Sequence, residues 1–213
     1  MRFEGETKVL DILQRIGHLP LPPYIDRADS PLDRERYQTV YAQEPGSVAA
    51  PTAGLHFTDD LLNTLRARGV LIHEIILHVG PGTFARVDAD DIDDHRVSKE
   101  SFFVPKETAE AHAQARARSQ RVIAVGTTTV RTLESAYSDG RVRPGPGETD
   151  LVIRPGHRFQ TIDALVTNFH LPKSSLLFLV SAFAGRERIL NAYSAAIESR
   201  YRFYSYGDAM LVA

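Results

Sequence analysis

The 213-residue chain contains no cysteine and no tryptophan, and only two methionines. Without cysteine there can be no disulfide framework, no thiolate-bound zinc, no iron–sulfur cluster and no cysteine nucleophile. Long apolar runs are missing too. The longest, Leu176 to Ala184, is interrupted by Ser181 and is too short to span a bilayer. Met1-Arg2-Phe3-Glu4-Gly5-Glu6 holds no apolar signal region, so a cytoplasmic protein with no membrane partner is expected. What is present is ordinary: 43% hydrophobic, 24% charged and 8% aromatic residues, with 14 Gly and 12 Pro. That balance excludes disordered, collagenous and low-complexity chains. The length suits a single domain over residues 1–213.

Charge nearly cancels, with 25 Lys and Arg against 27 Asp and Glu. The halves differ, however. Residues 1–100 carry 11 basic and 17 acidic side chains, and the remainder 14 and 10. The acidic run Asp88, Asp90, Asp91, Asp93 and Asp94 supplies much of the first excess. Arg116, Arg118, Arg121, Arg141, Arg143, Arg154 and Arg158 contribute to the second. Such faces are usually just solvated, so composition by itself does not indicate a nucleic-acid binder.

Apolar spacing predicts a helix over Thr7 to Ile16, and Ser30-Pro31 starts another that should reach Tyr41. A short helix follows Thr58. Val70 to Val79 reads as a strand ending in the turn Gly80-Pro81-Gly82. Ser101 to Val104 reads as a strand, with an Ala-rich helix from Pro105 to Arg118. Arg121 to Val125 has the composition of a buried strand and Gly126-Thr127-Thr128-Thr129 turns it into a helix reaching Tyr137. Asp139 to Gly147 reads as a surface loop. Leu151 to Ile153 and Ile162 to Val166 read as strands, and helices follow from Ser174 and Arg186. The alternation implies an α/β fold with a mixed sheet and helices on both of its faces.

Several residues offer chemistry. His73-Glu74 with His78 does not fit a zinc helix, because the histidines are five apart in a strand and point to opposite faces. Gly80 and Gly82 before Thr83-Phe84 sit where α/β sheets bind ligands, although a plain tight turn explains them equally. Gly126, Thr127 and Thr128 deliver backbone N–H groups and hydroxyls to a helix start suited to an anion, or simply cap it. Arg131 and Glu134 lie one turn on. His95, between Asp94 and Glu100, is a candidate general base, or part of a solvated acidic loop. His56 offers a polar handle in the loop Pro51 to Thr58, or packs as a structural histidine. Thr167-Asn168-Phe169-His170-Leu171-Pro172-Lys173-Ser174 is the densest polar group, set between an apolar strand and an apolar helix. Neither a Ser/His/Asp arrangement nor a G-x-x-x-x-G-K-[ST] loop is present.

Long blocks of the chain resemble the S-adenosylmethionine:tRNA ribosyltransferase-isomerases of queuosine biosynthesis. They are Gly17-His18-Leu19-Pro20-Leu21-Pro22-Pro23-Tyr24-Ile25, residues 46–58, Leu77-His78-Val79-Gly80 with Gly82-Thr83-Phe84, and Gly126-Thr127-Thr128 with Val130 to Ser135. Thr167 to Ser174 and Tyr201 to Leu211 are the strongest. The blocks fall in order over nearly the whole chain. Two positions depart from the pattern. The family usually follows the His95 position with Lys-Met-His-Ser-Glu where this chain has Arg96-Val97-Ser98-Lys99-Glu100, and its Phe-Arg-Pro-Val is here Phe84-Ala85-Arg86-Val87.

The resemblance implies that S-adenosylmethionine donates a ribosyl group to the aminomethyl nitrogen of 7-aminomethyl-7-deazaguanine at the wobble position of a tRNA with a queuosine-type anticodon. The ribose isomerises to give epoxyqueuosine, and adenine and methionine leave. No metal is implied. His56, His95, Glu100 and His170 become candidates for proton transfer. Substrate contacts are expected from His78, Gly80, Gly82, Thr83, Phe84, Gly126, Thr127, Thr128, Arg131, Glu134, Asn168, Lys173, Arg202, Tyr206 and Asp208. The resemblance further implies the larger domain of the family, entered at Phe3-Glu4-Gly5 without an upstream part and an inserted β-barrel, and a monomer at full length. Other readings are a catalytically inactive tRNA- or nucleotide-binding fragment, and an unrelated α/β hydrolase using His95 and the acidic run.

Overall fold

Residues 9–80 and 95–213 are described by a computed structural model. Gly82, Thr83, Phe84 and the acidic run therefore lie outside the described residues. Helices come first: α1 (Val9–Ile16), α2 (Pro31–Arg36), a 3-10 turn (Thr52–His56) and α3 (Asp59–Ala67). Then follow β1 (Ile76–Leu77), β2 (Glu100–Val104), α4 (Lys106–Ala117), β3 (Ile123–Val125) and α5 (Thr127–Ser135). The rest comprises β4 (Tyr137–Ser138), β5 (Arg141–Val142), β6 (Gly145–Thr149), β7 (Ala164–Asn168), α6 (Ser175–Ala184), α7 (Arg186–Glu198) and β8 (Ala209–Val212).

The expected α/β class with mixed strands is present, with the strands divided among small sheets. One is ordered β1-β2-β6 and antiparallel; the second is ordered β3-β7-β8, with β3 and β7 parallel and β8 antiparallel; β4 and β5 form a hairpin. Helix α5 packs against strands of both three-stranded sheets, while α6 and α7 pack on each other. Val104, Ala124, Val130, Leu165, Leu179 and Val180 form the fully buried centre between these layers. Burying the Val and Leu side chains among them stabilises the fold by about 1.5–3 kcal/mol each.

Several elements depart from the local reading. Helix α2 stops at Arg36, because Tyr37 leaves the helix to bury its ring edge-on against Tyr206. Among the described residues, only Ile76 and Leu77 of the strand expected from Val70 join a ladder. Strand β3 is an edge strand, and Ile123 is 51% exposed rather than buried. Residues Leu151 to Ile153 join no ladder among the described residues, although Ile153 is buried. The supposed loop from Asp139 holds a hairpin: Asp139 (φ 49°) and Gly140 (φ 79°) both take positive φ, as a two-residue type I′ turn requires.

That segment also supplies β6, which pairs with β2 at the sheet edge, where Pro146 is tolerated. Gly147 stands opposite Phe102 in this ladder, and a Cβ there would run into the Phe102 ring. Gly147→Ala is expected to destabilise the protein by about 1–3 kcal/mol through overpacking, read as a lowered urea midpoint. An unchanged midpoint would show that the ring moves aside at no cost.

Candidate active site

The apolar stretch Ala164-Leu165-Val166 anchors β7 in the core, and the strand ends by presenting Thr167 and Asn168, both buried. Lys173 then takes a left-handed conformation (φ 54°), and Ser174 starts α6 by accepting the Leu177 N–H. Asn168 gathers three segments. Its Nδ2 donates to the Tyr204 carbonyl (3.2 Å) and lies 3.3 Å from His56 Nε2, while its Oδ1 accepts from Thr52 Oγ1 (3.2 Å). The Tyr204 N–H donates to the Phe169 carbonyl (2.9 Å). These bonds hold Tyr204 at φ 73°, a conformation costing a bulky residue about 1–3 kcal/mol.

These segments enclose a cavity of ≈ 120 Å³. Its walls include Pro51 to Ala53, Gly126 to Thr128, Arg131, Thr167 to Ser174, and Tyr204 with Ser205. His170 Nε2 lies 2.8 Å from Thr167 Oγ1, and its backbone N–H donates to Tyr193 Oη (2.7 Å). No hydrogen bond engages His170 Nδ1 among the described residues. Burial pushes the His170 imidazole down to about 4, so it is neutral at pH 7.

A smaller cavity of ≈ 30 Å³ adjoins the first, with Arg131 and Leu176 in the walls of both. Glu100 projects from β2 with its side chain 7% exposed; its Oε2 accepts from Arg131 Nη1 (2.6 Å) and its Oε1 from the Gly80 N–H (3.1 Å). Arg131, 12% exposed, also donates through Nε to the Leu151 carbonyl (2.9 Å).

The structure thus brings Gly126, Thr127, Thr128, Arg131, Asn168, His170 and Lys173 together in one cavity wall, with His56 bonded to Asn168. Gly80 and Glu100 belong to the smaller cavity. Other candidates stand elsewhere. His95 is in neither lining, and Arg154 donates to its carbonyl (2.7 Å). Burial first, then Arg154 and Arg96, push its imidazole down. His78 packs against Gly46, and Glu134 is surrounded by residues 157–161. Arg202 and Asp208 pair with each other at 2.7 Å, and Tyr206 Oη donates to Asp33 (2.8 Å).

The local reading missed Asp33 as well as Tyr24, Tyr37 and Ser205. Asp33 accepts two bonds from Arg27 (2.6 and 2.7 Å) and two from Ser30, and hydrogen bonding, Arg27's foremost, holds its carboxyl far below the usual range. The Ser30-x-x-Asp33 spacing was its available signal. Tyr24 Oη lies 2.5 Å from Ser205 Oγ, and Tyr37 Oη donates to the same oxygen (3.2 Å). No local pattern announces partners separated by 181 and 168 positions.

Residues 1–212 match the profile of a family described as "Queuosine biosynthesis protein". An S-adenosylmethionine:tRNA ribosyltransferase-isomerase of Azoarcus sp. (strain BH72) is 57% identical over 212 residues, covering 100% of this chain and 61% of that protein. The protein of the same name from Anaeromyxobacter sp. (strain Fw109-5) is 60% identical over 210 residues, covering 99% and 61%. The crystal structure of an S-adenosylmethionine tRNA ribosyltransferase from Thermotoga maritima is similar at TM-score 0.63 and 47% identity, over 76% of this chain and 51% of that one. The chain therefore spans about 61% of the length of the curated relatives it matches.

Proposed function

Because the chain belongs to the queuosine biosynthesis protein family, we propose that it carries S-adenosylmethionine:tRNA ribosyltransferase-isomerase activity as one α/β domain. S-adenosylmethionine is the co-substrate. The acceptor is a tRNA with a queuosine-type anticodon carrying 7-aminomethyl-7-deazaguanine. The ribosyl group moves to the aminomethyl nitrogen and isomerises, giving epoxyqueuosine-tRNA, adenine and methionine. A cytoplasmic setting goes with a tRNA substrate; among the described residues no helix is long and apolar enough to cross a membrane.

One observation carries this reading. Four of the family-like blocks, far apart in sequence, meet at a single cavity: Ala49 to Ala53, Gly126 to Thr128 with Arg131, Thr167 to Ser174, and Tyr204 with Ser205. Packing alone would not require so many polar groups at a place where chain segments converge.

The chemistry asks for removal of a proton from the 5′ carbon beside the sulfonium, and for a proton or strong hydrogen bond at the departing adenine. Of the four proton-transfer candidates, His170 is the one in the wall of the larger cavity. Thr167 orients its ring through Nε2 and leaves Nδ1 for a substrate atom. Gly126 to Thr128 with Arg131 and Lys173 offer positive potential to an anionic group on the substrate. The test incubates the chain with S-adenosylmethionine and tRNA bearing the aminomethyl base, and reads adenine and the modified nucleoside by mass spectrometry. Both products are expected. tRNA binding without adenine release would favour an inactive binding fragment.

A further inference from the structure

Helix α5 begins in an unusual way. Gly126, at φ 90°, turns the chain from β3 into the helix and supplies no side-chain cap. Thr129 Oγ1 is committed to the Val125 carbonyl (2.7 Å). Thr127 lies in the cavity wall only 7% exposed, and among the described residues its hydroxyl has no partner. Its first-turn N–H groups have no carbonyl within the helix to meet.

One turn further, on the same face, stands Arg131. Its Nε and Nη1 are used by Leu151 and Glu100, but Nη2 is buried and has no partner. Two unmatched donor side chains, in walls that meet at one helix start, mark a place for an acceptor. Glu100 decides what kind of acceptor. Its carboxylate is 93% buried beside the same guanidinium, and each oxygen so far accepts a single bond. A phosphate on Nη2 would face that carboxylate and be repelled. A zwitterion meets no such conflict.

We propose that Thr127, Arg131 and the α5 N-terminus bind the α-carboxylate of the donor's amino-acid end, with its α-ammonium directed toward Glu100. This rests on the reading that S-adenosylmethionine is the donor, and it specifies which part of that molecule the α5 site holds.

The experiment titrates the chain and its Thr127→Val and Arg131→Gln variants with S-adenosylmethionine, with its decarboxylated form and with tRNA, by calorimetry. The unaltered chain is expected to bind the decarboxylated form at least tenfold more weakly. Each variant should lose at least fivefold for S-adenosylmethionine and less than twofold for the decarboxylated form. Equal losses for both compounds, or none for either, would overturn the assignment. So would weakened tRNA binding with S-adenosylmethionine affinity unchanged, which would identify a phosphate site instead. Failure of the unaltered chain to bind either compound would sink the donor reading itself, and with it this subsite. If Arg131→Gln does not fold, Thr127→Val alone decides between these outcomes.

Discussion

Replacing Glu134 with alanine is expected to lower stability by about 3–5 kcal/mol, the range for stripping a buried charged hydrogen-bond network of its centre. The Glu134 side chain is 3% exposed. Its carboxylate accepts bonds from the Thr161 hydroxyl (2.6 Å), the Thr161 and Gln160 N–H groups (both 3.0 Å) and His157 Nε2 (3.0 Å). Thr161, fully buried, is held from its other side, where its carbonyl accepts from His112 Nε2 (2.8 Å). Alanine would leave these donors facing an empty space just ahead of β7, the strand that delivers Asn168 and His170. Urea denaturation measures the effect. A loss below about 1 kcal/mol would mean that water replaces the carboxylate freely, and would return Glu134 to the substrate-contact role its position in the motif suggested.

A His170→Ala variant should lose adenine release by a factor of about 10²–10⁴, the usual contribution of a positioned proton-transfer or hydrogen-bonding group. Its fold should survive, since the ring bonds only Thr167 and the backbone N–H to Tyr193 is retained. Turnover within a factor of about three of the unaltered chain would remove His170 from the chemistry.

The same residue has a signature in stability. In the unfolded chain a histidine takes up its proton near pH 6.5; in the folded protein burial holds His170 down to about 4. The unfolded state therefore binds more protons between those values. His170's contribution is complete above pH 6.5 and is lost as pH falls toward 4, by up to about 3 kcal/mol. His112, also pushed down by burial, acts in the same direction. His170→Gln should flatten the acid limb of a stability–pH curve between pH 6.5 and 4, leaving the part that His112 supplies.

The sequence by itself determined the elements whose signals are local. Gly126 after an apolar strand predicts the β3–α5 turn, and Ser174 after a polar connection predicts the start of α6; both are found. Hydrophobic alternation with short-range capping identifies such units without reference to the rest of the chain. Asp139-Gly140 was an equally local hairpin signal, obscured by the Gly and Pro residues after it. Strand β6 was illegible for a different reason: Gly145-Pro146-Gly147 has no strand propensity of its own and is extended because β2 pairs with it.

Tertiary structure decided the fate of the charged groups whose partners lie outside their own turn. Glu100, Glu134 and Asp208 looked alike as carboxylates near motif blocks. Chain path gave the first a buried guanidinium, the second a set of backbone donors, and the third an Arg202 partner in its own turn. Residue identity sets a side chain's charge and hydrogen-bonding capacity. Its partners are chosen by where the chain path brings other segments, 31 residues away for Glu100, 27 for Glu134 and 116 between Thr52 and Asn168, and those are settled only when the sheets and α5 pack around one core.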